Sequence, residues 1–318
     1  MRTIVMLLFP DVLLLDVAGP VEAFSIANRY LPAEQQYRVR TLAPGERQVR
    51  ASCGMQLVAD ALLAEPAAVA DCDLLLIPGG PGAYNDDHSA LLPWLLAATA
   101  QAPRFGSICT GAFILGAAGL LDGRKVTTHW NYTERLARRH PQAQVLSEQI
   151  YLVDGNLYTC GGITAGIDMA LGIIAEDHGK AVAVAVAKVL LVAKTRQGGQ
   201  AQFSPLLGEV AREDSPVGCA QRHALAHLEQ PLTVAALAAA VGMSTRHFAR
   251  LFASETGLTP MAFIYRARVD RARQLLESSE LPLKTVAFHA GFASVRAMRT
   301  AFVERLGLTP AQYRQQFA

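Results

Sequence analysis

At 318 residues, 51% of them hydrophobic and with a formal net charge of only +2, the chain is long enough for two domains and too apolar for a charge-rich disordered tail. Its longest apolar run, residues 181–192, is broken by Lys188 and falls short of the roughly 18 residues that cross a bilayer, so no membrane association is expected and the chain is assigned to the cytoplasm, associated with the nucleoid. The five cysteines (Cys53, Cys72, Cys109, Cys160 and Cys219) are scattered, with no Cys/His cluster at zinc-ligand spacing, so neither a disulfide framework, a metal site nor a cofactor is indicated.

The apolar run at 3–9 (TIVMLLF) reads as a buried first strand, since only Arg2 precedes it and no small-residue cleavage pattern follows. Further β-branched or leucine-rich runs occupy 37–43, 73–80, 105–111 and 125–130, with a pair of runs at 150–162. Between and after them, helices are expected over 21–29, 91–102, 112–118, 132–140, 167–176 and 181–195. Runs buried on both faces and followed by helices predict a mostly parallel sheet in a flavodoxin-like α/β sandwich spanning 1–195. Periodicity fades over 196–216, where Gly, Pro and charge gather, and that stretch is expected to be a linker. Beyond it, 217–318 offers only short amphipathic helices with Ser or Thr starts and Gly stops, which predicts an all-α domain. Twelve Arg and Lys face six Asp and Glu in this last stretch, against seventeen and twenty-one in the remainder. The basic excess suits a module for a polyanion, although a solvated basic face has the same composition.

An internal repeat sharpens that reading. Residues 238–260 match 287–310 with one extra residue in the second turn, and Phe252 and Phe302, like Pro260 and Pro310, are fifty positions apart. Each copy places a helix, a tight turn at Gly242 or Gly291, a start at Ser244 or Ser294, and a second helix. Phe248, Leu251 and Phe252, or Met298, Ala301 and Phe302, face inward on that second helix. Thr245, Arg246, His247 and Arg250 are left outside in the first copy, and Val295, Arg296, Arg299 and Thr300 in the second. Hydroxyls and guanidiniums on the first turns of such helices are placed to reach guanine edges and phosphates in the major groove of double-stranded DNA. Two units on one rigid domain would enter successive grooves about 34 Å apart.

Over residues 218–318, the paired turns, the GLTPMAFIYRARVDRARQLL segment and the closing GFASVRAMRTAFVERLGLTPAQYR resemble the AraC/XylS family of bacterial transcription factors. The resemblance implies two helix-turn-helix units, sequence-specific promoter binding, activation through RNA polymerase, and control by the N-terminal domain.

In that N-terminal domain, GSICTGAF carries a strand into a small-residue corner at Cys109 and then a helix. Such a corner suits a nucleophile, and the helix start behind it is expected to favour thiolate; the alternative is an inert core cysteine. Gly79, Gly80, Pro81 and Gly82 follow a buried strand, as a stretch that presents amides to an oxyanion or ligand carboxylate or as a plain turn. Asp16 and Glu22 flank a bend expected at Gly19 and Pro20, where a carboxylate is placed to orient a ligand amine or polarise the thiol; the alternative is that these acids cap a helix. His129 ends the 125–130 run. The segments LFPDVLLLDVAGPVEAF, LLLIPGGPGAY, SICTGAFILGAAGLLDGRKVTTHW and GGITAGIDMAL together resemble the PfpI branch of the class I glutamine amidotransferase-like superfamily, isonitrile hydratases in particular. The resemblance would make Cys109 the nucleophile, Asp16 the acid/base carboxylate and Thr110 a neighbouring hydroxyl; Thr110 stands where PfpI-type proteases carry histidine, which speaks against a peptidase.

The expectation is therefore a dimeric DNA-binding regulator, an activator, whose effector is a small nitrogenous metabolite held by Asp16, Glu22, Gly80, Cys109, Thr110 and His129. Occupancy would be transmitted through the 181–215 region. The alternative is an active cysteine-dependent hydratase or amidohydrolase with an appended DNA-binding domain.

Overall fold

A computed structural model describes residues 1–65, 71–192 and 215–317, and the chain divides into two compact units, Met1–Arg196 and Gln197–Ala318. The first is built on β1 (Arg2–Leu7), whose side chains from Thr3 onward are all buried, so that both faces need cover. β1 lies in the interior of a seven-stranded sheet, flanked by β2 (Tyr37–Ala43) on one side and the central strand β6 (Cys72–Ile77) on the other. Between β2 and β6 the chain forms a small hairpin, β3 (Gln48–Arg50) and β4 (Gln56–Val58), and the two-residue β5 (Ala61–Leu62). β7 (Arg104–Ile108) follows beside β6; β8 (Lys125–Val126) and β9 (Gln144–Val145) pair apart from the sheet; β10 (Tyr151–Asp154) and β11 (Leu157–Cys160) complete it. The order is β10-β11-β7-β6-β1-β2-β5, parallel except for the β10–β11 edge pair. This is the mostly parallel α/β architecture expected from the alternating buried runs.

The helices of this unit are α1 (Leu14–Ala27), α2 (Gly82–Asn85), α3 (Leu92–Gln101), α4 (Ala112–Ala117), α5 (Thr133–Arg139), α6 (Thr164–His178) and α7 (Lys180–Val189). Three details depart from the sequence reading. α1 begins seven residues earlier than expected, and Gly19 and Pro20 lie inside it rather than forming a bend. Proline removes the bond that the Asp16 carbonyl would accept, but its ring packs close to Gly166 of α6, so tertiary contact outweighs the local penalty. The 125–130 run is a strand for only two residues, because Thr127 and Thr128 spend their polar groups on side-chain and carbonyl partners. The hairpin β3–β4 was not anticipated. The expected linker at 196–216 and the proposed relay at 181–215 lie largely outside the described residues; what is described at the far end is Ser215, whose hydroxyl accepts from Gly218 and starts the next helix.

The second unit is all helical where described: α8 (Pro216–Ala226), α9 (Val234–Ala240), α10 (Thr245–Thr256), α11 (Pro260–Ser278), α12 (Leu283–His289), α13 (Val295–Leu306) and α14 (Pro310–Phe317). Its repeated GLTP is a stop-and-start signal. Gly257 and Gly307 end α10 and α13 in the left-handed conformation, Thr259 and Thr309 accept amides of the next helix, and Pro260 and Pro310 begin it. Two separate apolar cores result. Phe248 and Phe252 fill one with Val217 and Leu237, while Met298, Ala301 and Phe302 fill the other with Val286 and Tyr313. α11 serves both: Phe263, Ile264 and Ala267 belong to the first, Val269, Ala272 and Leu276 to the second.

The two helix-turn-helix glycines differ in what surrounds them. Both have positive φ (+68° at Gly242, +83° at Gly291), but a Cβ on Gly242 would meet nothing within 4 Å, whereas one on Gly291 would stand 1.8 Å from the Leu228 carbonyl oxygen. Gly242→Ala should therefore cost only the left-handed strain of about 1–2 kcal/mol. Gly291→Ala should cost clearly more and lower the melting temperature of the second unit further, as read by calorimetry; equal shifts would contradict the contact.

Candidate functional site

Cys109 occupies the corner between β7 and α4 with φ +55°, a left-handed conformation that costs a β-carbon residue on the order of 1–3 kcal/mol. The neighbouring chain makes room for it. A Cβ on Gly162 would stand 2.1 Å from the Cys109 Cβ, and one on Gly79 would stand 2.6 Å from it. Thr128 fixes the corner by donating to the Cys109 carbonyl at 2.7 Å. Asp16, fully buried in the first turn of α1, accepts from the amides of Gly79 (3.0 Å) and Ile163 (2.5 Å) and lies in hydrogen-bond contact with the Cys109 thiol. Burial dominates over these donors and pushes the Asp16 carboxyl up to about 6.

The electrostatics reverse one expectation. Desolvation first, then the negative charge of Asp16, drive the Cys109 thiol well above its ordinary value, outweighing the nearby backbone donors. With 6% exposure it is a neutral, enclosed thiol rather than the thiolate predicted from its place before a helix. The glycine amides are also committed. Gly79 donates to Asp16, while Gly80 donates to the Thr110 hydroxyl at 2.9 Å and its carbonyl accepts from that hydroxyl at 3.1 Å. Thr110 thus ties the Gly80 turn to the cysteine corner.

Asp16, Gly80, Cys109 and Thr110 are brought together; Glu22 is not. Six positions along α1 from Asp16, it is turned by about 240° around the helix and is exposed. His129 is half-buried, accepts the Asn131 amide at 3.3 Å, packs against Trp130 and Tyr132, and is held neutral by desolvation. Its ring belongs to an aromatic cluster that sequence reasoning missed. Tyr84, Phe113 and Tyr132 are mutually packed, the two tyrosine hydroxyls lie 2.9 Å apart, and the Arg135 guanidinium stacks 4.7 Å above the Tyr84 ring. Tyr132 is pushed up to about 12, by its bond with Tyr84 first, with the Cys109 side chain among the lesser causes, which places this cluster within electrostatic reach of the corner. No sequence period marks these aromatics. The Gly161-Gly162 pair between β11 and α6 was the available signal for the Ile163 amide.

In the second unit the expected recognition residues are on the surface except Val295, which is half-buried against the second core because its apolar side chain packs there. Ser244, Thr245, Arg246, His247 and Arg250 are exposed on α10 and its start, as are Ser294, Arg296, Arg299 and Thr300 on α13. None of the four arginines has a carboxylate partner among the described residues. Ser294 caps α13 by accepting the Ala297 amide at 3.1 Å; Ser244 holds the equivalent position without a capping bond, leaving its hydroxyl unspent by the helix.

Paired exposed arginine-bearing helices behind an α/β domain define a helix-turn-helix regulator of transcription. The chain belongs to the DJ-1/PfpI family, whose pattern matches residues 2–176, and an AraC-type helix-turn-helix domain matches 237–316. It is 30% identical over 314 residues to the HTH-type transcriptional regulator GbdR of Pseudomonas aeruginosa, covering 99% of this chain and 84% of that one. Isonitrile hydratase of Pseudomonas putida is 38% identical over 179 residues, 54% of this chain and 69% of the hydratase. Among solved structures, a ThiJ/PfpI family protein from Pseudomonas syringae superposes with a TM-score of 0.52 at 28% identity, over 61% of this chain and 76% of that one.

The Asp16 carboxyl gives a pH test. Its pKa is raised above the unfolded value of about 3.9, so the folded state holds the extra proton and this contribution to stability is full below pH 4 and lost as pH rises through 6. The loss should approach about 3 kcal/mol. Both tryptophans, Trp94 and Trp130, lie in the first unit, so urea unfolding followed by tryptophan fluorescence isolates it. Asp16→Asn should flatten the profile between pH 4 and 6; an unchanged profile would contradict the burial argument.

Proposed function

We propose that this regulator is a ligand-responsive activator that reads a bipartite DNA site, with one half-site for α10 and one for α13, and whose effector is a small nitrogenous molecule held beside the Cys109 corner. The observation that carries the DNA reading is the set of four exposed guanidiniums on the two recognition helices, none with a carboxylate partner among the described residues. Arginine's fork matches guanine O6 and N7, and short hydroxyl side chains beside it reach phosphates. For the effector, the aromatic faces of Tyr84, Phe113 and Tyr132 favour a cationic nitrogen, as the stacking of Arg135 on Tyr84 already illustrates. The Asp16 carboxyl adds a negative centre when ionised. Dimerisation, contact with RNA polymerase and a cytoplasmic, nucleoid-associated location are part of this reading. The relay to the DNA-binding unit needs the effector to bind one arrangement of the protein better than the other.

A second reading, hydration of an isonitrile at Cys109, is favoured by the similarity to isonitrile hydratase and by an acid poised near pH 6 beside the thiol. The neutral, enclosed thiol and the committed Gly79 and Gly80 amides speak for a binding role instead.

Two experiments separate these. With a duplex selected by the full-length protein from a random-sequence pool, Arg246→Ala and Arg299→Ala should each weaken binding by about 1–3 kcal/mol, while Arg138→Ala in the first unit should leave it unchanged. Failure to select any sequence would refute the DNA reading. Titration with amino acids and quaternary amines should give a saturable tryptophan fluorescence change that persists in Cys109→Ala; turnover of an isonitrile that Cys109→Ala abolishes would establish the second reading instead.

A further inference from the structure

The two helix-turn-helix units have separate cores joined by α11, and a single shared helix is one point of attachment. A second attachment exists at the turn between α8 and α9. Arg268, on α11 between the residues that feed the two cores, donates from Nε to the Leu228 carbonyl at 3.2 Å and from Nη2 to the Gln230 carbonyl at 2.9 Å. The same Leu228 carbonyl is approached by the turn of the second helix-turn-helix, where any Cβ on Gly291 would stand 1.8 Å from it and 2.7 Å from Arg268 Nε. His289, at the end of α12, lies 3.3 Å from the Glu229 carboxylate. Groups from α11, α12 and the second turn therefore converge on residues 228–230 of the first helix-turn-helix unit.

From this geometry we infer that Arg268 is a positioning residue that locks the angle between α10 and α13, and so fixes the separation at which the two half-sites of the DNA are read. The inference rests on the DNA-binding reading above. The guanidinium's fixed fork holds two carbonyls at once, which a lysine cannot do with the same geometry. Rotation of one unit about α11 would break both bonds and press the Gly291 turn against Leu228. Because each inserted base pair rotates one half-site by roughly 35° about the duplex axis, a locked angle makes binding intolerant of spacing changes.

The test uses the full chain with Cys53→Ser and Cys219→Ser, which removes the two exposed thiols. Spin labels at Thr245→Cys and Thr300→Cys report the distance between the recognition helices by pulsed dipolar spectroscopy. Arg268→Ala should broaden that distance distribution about twofold or more, and Arg268→Lys should broaden it less. In the unlabelled protein, Arg268→Ala should lower affinity for the selected duplex by roughly tenfold while each isolated half-site is bound as before; insertion of one or two base pairs should then cost less than it does in the unsubstituted protein. An unchanged distance distribution, or an equal loss on isolated half-sites, would overturn the proposal. Should Arg268→Ala fail to fold by circular dichroism, Arg268→Gln, which can satisfy one carbonyl only, carries the same tests. If no duplex is selected, the regulator reading fails while the spin-label distances still decide whether Arg268 holds the two units together.

Discussion

The nineteen-residue helix α11 supplies apolar side chains to both cores, Phe263, Ile264 and Ala267 to one and Val269, Ala272 and Leu276 to the other. Each core is too small to be secure alone, since it rests on about a dozen buried residues, and each depends on the same helix to bury its open side. Arg273 strengthens the second half of α11 through its 2.9 Å ion pair with Asp270 and its bond to the Tyr313 hydroxyl on α14. The consequence is that two short recognition helices, neither of which would be stable in isolation, are held on one frame with their arginines outward. Without that shared helix the two arginine-bearing helices would stand on independent cores; with it, they share one frame.

The α/β unit keeps a strained corner and surrounds it with partners that do not suit an activated nucleophile. The positive φ of Cys109 is accommodated by closely packed glycines, and the nearest charged group is an acid whose burial keeps it protonated to higher pH than an ordinary aspartic acid. Here the Thr110 tie to Gly80 holds the corner in place, and an aromatic cluster of Tyr84, Phe113 and Tyr132 adjoins it.

Much of this was legible in the residues. Buried β-branched runs located every long strand of the sheet, and the repeat located both recognition helices with their inward phenylalanines and outward arginines. What escaped notice depended on tertiary contact. Pro20 argued for a bend, and only the facing Gly166 explains why α1 runs through it. Glu22 looked adjacent to Asp16 along the chain, yet helical rotation turns it outward. The helix start behind Cys109 suggested a lowered pKa, but sequence holds no measure of the burial that raises it. Ser244 and Ser294 look equivalent, and only Ser294 has the geometry to cap its helix.

Hydroxyl-radical footprinting of the full-length protein on a duplex selected from a random pool addresses the central claim most directly. Two protected patches per protomer on one face of the duplex, centred about one helical turn apart, are predicted for α10 and α13 held on a common frame. A single patch, or two patches on opposite faces, would contradict it.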